Sequence, residues 1–79
     1  NVKYPMIAQE NNIQGKVFVQ FVIEKDGSVS DVKVARSVDP SLDKEAIRVV
    51  KAMPKWKPGK QRGKPVRVSY TVPINFQLQ

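Results

Sequence analysis

The side chains able to handle a proton or a metal in this 79-residue chain begin with seven carboxylates, Glu10, Glu24, Asp26, Asp31, Asp39, Asp43 and Glu45, for there is no histidine and no cysteine. Most of the seven have a local task open to them in a turn, at a helix start or on an outward helix face, and none forms a convincing pair in a cleft. No Gly-rich phosphate loop and no nucleophile elbow occurs. Without histidine and cysteine the commonest metal ligand, the commonest general base and any disulfide framework are missing too. The residues point away from an enzyme, and they suggest no catalytic group, no cofactor and no metal. Absence of cysteine is compatible with every redox compartment.

The cations carry more information. Fourteen Lys and Arg give a formal net charge of +7 and a pI near 10.0, which implies attraction to an anionic partner. Lys55, Lys57, Lys60, Arg62 and Lys64 surround Trp56. Two chemistries suit that cluster. Trp56 could stack on a base among phosphate-binding lysines, or fold back under a helix end while the solvated cations, Lys57, Lys60 and Arg62 above all, steer an acidic partner. Against nucleic acid, no aromatic residues recur on a sheet face as in an RNA-recognition motif, and there is no GXXG clamp or zinc knuckle.

A third candidate is backbone chemistry. In "PVRVSYTVPINFQLQ", Val66, Val68, Tyr70, Val72, Ile74, Phe76 and Leu78 alternate with Arg67, Ser69, Thr71, Pro73, Asn75 and Gln77, the period of a strand with one buried face. Pro73 has no N–H to give to a ladder, so this strand belongs at a sheet edge with Pro73 turned outward. Residues of the same parity then present free N–H and C=O groups along that edge. One proline is a common way to blunt an exposed edge. An edge can equally receive a peptide strand, with Arg67, Ser69 and Thr71 reaching the partner.

The elements that would position this edge follow from the rest of the chain. "YPMIAQEN" reads as a short helix with Pro5 at its first position and Ile7 and Ala8 on the inner side. Gly15 opens a central strand with Val17, Val19, Phe21 and Ile23 on one face and Phe18 and Val22 on the other. A two-residue turn at Asp26-Gly27 sets Lys25 opposite Ser28, Phe21 opposite Val32 and Val19 opposite Val34, a hairpin of roughly 16 to 24 with 29 to 37. Asp39 caps the one substantial helix, with Pro40 in its first turn, Leu42, Ala46, Val49, Val50 and Met53 inward, and Pro54 at its end. "PKWKPGKQRGKP" reads as a loop. The fold class is α+β: a three-stranded antiparallel sheet in order 2-1-3, the last strand at an edge, with two helices packed on one face.

At this length the chain, residues 1–79, reads as one domain. No apolar run approaches the length needed to span a bilayer. The opening at Asn1 without an initiator methionine suggests a fragment whose targeting segment lies upstream.

Three stretches, "YPMIAQENNIQGKVFVQFVIEKDGSVSDVKVARS", "LDKEAIRVVKAMPKWKPG" and "GKPVRVSYTVPINFQL", together resemble the C-terminal domain of the TonB family of periplasmic energy transducers. The Tyr-Pro opening, the Gly before the first strand, the Asp-Gly turn, the Trp with its nearby Pro-Gly and the Val-Pro-Ile-x-Phe ending carry the resemblance. It implies a periplasmic domain of a protein anchored in the inner membrane of a Gram-negative bacterium. Such a domain would bind the TonB box, a short peptide of outer-membrane receptors, and pass on energy from the ExbB and ExbD motor complex to drive nutrient import. ExbB and ExbD would engage the part of the protein upstream of this chain. The peptide site maps onto Asn1 and Val2 and onto the last strand, through Arg67, Ser69, Tyr70, Thr71, Pro73 and Asn75. Similar domains end other envelope proteins, including sensor peptidases, and this alternative stays open here, as does pairing into a homodimer. A small basic nucleic-acid-binding domain is the remaining alternative.

Overall fold

The computed structural model describes residues 2–54 and 56–78. Its elements in chain order are α1 (Met6–Glu10), β1 (Gly15–Ile23), β2 (Val29–Arg36), α2 (Pro40–Lys51), β3 (Gly59–Gln61), β4 (Lys64–Val66) and β5 (Val68–Phe76). The main sheet is antiparallel with order β2-β1-β5, so the expected topology is present with β5 as its third strand.

Period-two alternation makes β1 the floor of the core: Val17, Val19, Phe21 and Ile23 are fully buried while the intervening residues lie on the opposite face. From β5, Ile74 and Phe76 join them, and from the helices Ala8, Leu42, Ala46 and Val50. Each fully buried aliphatic or aromatic side chain contributes about 1.5–3 kcal/mol of transfer free energy. α2 forms because Asp39 Oδ2 accepts the Ser41 N–H at 2.9 Å, Pro40 occupies the first turn, and Leu42, Ala46 and Val50 recur every fourth residue on the buried stripe. Val49 and Met53 are half-buried at its margin. The Tyr4 ring meets Phe76 edge-on at 5.6 Å and its hydroxyl donates to the Ile13 carbonyl, which ties the segment before α1 to the end of β5.

Three expectations are corrected. Pro5 stands just outside α1 as its N-cap, with ψ of 136°, and Ile7 is 60% exposed while Ala8 alone is buried. A helix of five residues packs through one narrow stripe, and the small Ala8 lets its backbone lie close.

The hairpin turn has three residues. The Glu24 N–H donates to the Ser28 carbonyl at 2.8 Å around Lys25, Asp26 and Gly27, with Gly27 at φ +87°. Val22 then faces Ser30, one step away from the expected register. A β-bulge at Asp31, whose φ is +50°, sets Asp31 and Val32 together against Phe21, and beyond it Gln20 faces Lys33 and Val19 faces Val34 as expected. The odd turn and the extra residue cancel.

The basic segment read as a loop contains a second hairpin, β3 with β4, turning at Arg62 (φ 54°) and Gly63 (φ 78°). Positive φ at both central residues is the type I′ geometry that matches strand twist. β4 and β5 run on from one another past Arg67, and the hairpin lengthens the body to extents of 49 × 20 × 19 Å.

Candidate functional site

The sheet has two outer edges. That of β2 is interrupted by register shifts at Asp31 and again between Val34 and Arg36, whereas β5 pairs with β1 from Val68 to Phe76 without a break. Bulges twist an edge away from further pairing. A straight strand offers its backbone at regular spacing.

The direction of the free groups on β5 follows from one bond. Glu24 hydrogen-bonds towards β2, and alternate residues of a strand address the same neighbour, so the even positions of β1 face β2 and the odd positions face β5. Their partners Val68, Tyr70, Val72, Ile74 and Phe76 are the even residues of β5. Ser69, Thr71, Pro73 and Asn75 therefore turn their backbone groups to the outside, and Pro73, opposite Phe18, removes no internal bond. The side chains of these four residues are exposed.

The hairpin leaves this edge open. The Trp56 N–H donates to the Gly27 carbonyl at 2.8 Å, which brings the chain into β3 on the side where β1 ends.

Arg67 does not reach outward. Its Nε lies 2.7 Å from Glu24 Oε1, and its Nη2 lies 3.1 Å from Glu24 Oε2 and 3.5 Å from Asp31 Oδ2, so the guanidinium runs inward across β1 to the bulge of β2. Arg67, with help from the Ser30 hydroxyl, holds the Glu24 carboxyl below its ordinary range. Ser69 is also partly engaged, its Oγ accepting from Gln20 Nε2 at 3.3 Å. On the helix side, Tyr70 is 43% exposed where a core position was expected. It stacks with the half-buried Trp56 at 6.3 Å and 27°, and Trp56 packs on Phe21 at 5.3 Å.

Of the remaining expected site residues, Val2 is 46% exposed, and Lys57, Lys60 and Arg62 are exposed. Asn1 and Lys55 lie outside the described residues. The structure thus brings Ser69 to Asn75 together on one edge and gives Arg67 a bracing place. Glu24 and Asp31, which hold Arg67, were not singled out for that role; the antiparallel register that sets Ile23 opposite Val68 places Glu24 beside Arg67 and would have found the pair. Among the described residues no cluster of acidic side chains suited to a metal occurs and no helix is long and apolar enough to cross a membrane.

A family model described as Gram-negative bacterial TonB protein C-terminal matches residues 1–78. Protein TonB of Helicobacter pylori is 33% identical over 78 residues, covering 98% of this chain and 26% of that protein. Protein TonB of Pseudomonas aeruginosa is 35% identical over 78 residues, covering 96% and 22%. The chain thus spans about a quarter of the length of these relatives. The solution structure of the Helicobacter pylori TonB C-terminal domain superposes with a TM-score of 0.76 at 32% identity, covering 99% of this chain and 70% of that one. That of Pseudomonas aeruginosa gives 0.71 at 30% identity, covering 100% and 80%.

Proposed function

The chain belongs to the family of Gram-negative bacterial TonB protein C-terminal domains, and from that premise we propose that it is a single, non-enzymatic docking module. Its ligand is the TonB box of outer-membrane receptors, taken as an added strand on the outer edge of β5. The observation that carries this reading is the contrast between the edges, one twice interrupted and one straight over nine residues with its only missing donor, Pro73, turned outward. Backbone bonds at Ser69 and Thr71 supply affinity before the gap at Pro73, and Asn75 continues the row beyond it. The likeness to the family adds Asn1 and Val2, from the opposite end of the chain, to the residues that take the peptide. Lys57, Lys60 and Arg62 act on approach, steering acidic receptor surfaces. In the full-length protein the module resides in the periplasm and passes on energy from ExbB and ExbD, engaged upstream of this chain, to nutrient import.

Two proline substitutions test the docking. Thr71→Pro removes an outward N–H, so affinity for a TonB-box peptide is expected to fall at least tenfold while the melting temperature moves little. Val72→Pro removes an inward donor facing β1 and is expected to destabilise the fold by about 3 kcal/mol or more. Peptide titrations and thermal melts of both variants decide. The reverse ranking would place the free groups on the other parity and end this reading.

A further inference from the structure

The helix side of β5 is only partly covered. α2 lies over β2 and β1, and Ile74 and Phe76 are buried at the end of β5 where Tyr4 packs. Between that end and the hairpin, Val68 and Val72 remain half-buried and Tyr70 is 43% exposed, its ring braced from behind by Trp56 at 6.3 Å. This shelf of Val72 and Tyr70, backed by Trp56, borders the open edge. On the other face the same strand presents Ser69 and Thr71, both polar and exposed.

Resting on the docking reading above, we propose that this edge selects extended peptides by side-chain pattern as well as by backbone: two apolar residues separated by one polar residue, the apolar pair seated on the Tyr70–Val72 shelf. In an added strand the residue opposite Tyr70 points to the helix side, as Tyr70 does, and so does the residue opposite Val72. The residue between them lies opposite Thr71 and points to the other face, beside the polar side chains of Ser69 and Thr71. The rule is the same for parallel and antiparallel addition, because alternation does not depend on strand direction. The free backbone groups make an extended peptide the occupant, and its flanks are acidic, since exposed Lys57, Lys60, Arg62 and Lys64 form no ion pair among the described residues.

The experiment compares two synthetic octapeptides of one composition, each with two glutamates at one end and two valines among threonines and serines. In the first a single threonine separates the valines; in the second they are adjacent and so point to opposite faces. Calorimetric titration of the chain is expected to give at least about fivefold tighter binding of the first, the effect of seating one more valine on partly apolar surface. Tyr70→Ser is expected to bring the two peptides to equal affinity and Tyr70→Phe to preserve the difference, with thermal melts reporting the fold of each. Equal affinity of the two peptides for the parent chain overturns the pattern rule and leaves strand docking standing. Binding of neither peptide, with no binding of a TonB-box peptide either, overturns the docking reading itself.

Discussion

At the scale of single residues, Gly59 has no room for a side chain. A Cβ there would stand 2.4 Å from Val68 Cγ2 and 3.6 Å from Val66 Cγ2, because β3 crosses close to the point where β4 passes into β5. Gly59→Ala is expected to cost about 1–3 kcal/mol, read as a lower melting temperature, since overpacking displaces neighbours. Glu45 contributes to the sensitivity of the fold to acid. Its carboxylate accepts from Arg48 Nε at 2.8 Å and Nη2 at 2.7 Å and from the Lys3 backbone N–H at 2.7 Å, and chiefly through Arg48 its pKa falls from the ordinary 4.5 to about 2. A depressed carboxyl pKa adds stability that is complete above about pH 4.5 and is lost as pH falls towards 2. Glu24 and Asp39 are lowered as well and act in the same direction. Melting temperatures followed across that range are expected to fall, and to fall less in Glu45→Gln.

At the scale of elements, the bulge at Asp31 both corrects a register and protects an edge. Deleting Asp31 would let the register set at the three-residue turn run on unbroken, still placing Phe21 opposite Val32 and Val19 opposite Val34. That deletion is expected to leave a folded domain within about 1 kcal/mol of the parent, since the exposed ion pair it removes is weak. It also removes one of the two interruptions of β2, so the deleted form is expected to self-associate more strongly than the parent as concentration rises in sedimentation. Deleting Lys33 instead would turn Asp31 into the core and is expected to unfold the chain. The faces of β1 and the outward parity of Pro73 were legible in the sequence because a period of two admits only two answers and burial chooses one. The compensating turn and bulge were not, because an even turn reaches the same pairing at Val19 and Val34. Nor was the β3–β4 hairpin: Gly59, Lys60 and Gln61 carry no apolar alternation, so only the Arg62-Gly63 pair signalled it. Tyr70 has the core parity of its strand, yet α2 does not extend over it, and coverage by a distant helix is not written in a strand's own pattern.

At the scale of the whole molecule, charge and shape separate. The acidic residues are largely spent on local bonds, Glu24 and Asp31 on Arg67, Asp39 on Ser41, Glu45 on Arg48, and the cations of the hairpin end form no ion pair among the described residues. Changing Lys57, Lys60 and Arg62 to glutamine is expected to slow association with an acidic receptor peptide several-fold at low salt and to leave dissociation unchanged. The difference should vanish towards 1 M salt, where screening acts over about 3 Å, and stopped-flow traces would record both rates. Dissociation that quickens instead would place these side chains in the bound contact. The long axis of 49 Å has a mechanical meaning. The chain enters at Tyr4, which is packed on Phe76, so a tension arriving from the amino-terminal side meets β5 at its Phe76 end. Backbone bonds lie across the strand direction. A docked strand whose own tether leaves past the hairpin is loaded in shear, and its bonds to Ser69, Thr71 and Asn75 yield together; one whose tether leaves beside Phe76 is peeled, and they yield in turn. Pulling the same bound peptide from either terminus in a force spectrometer should therefore give a higher rupture force in one direction, and that direction reports how the peptide lies on the edge.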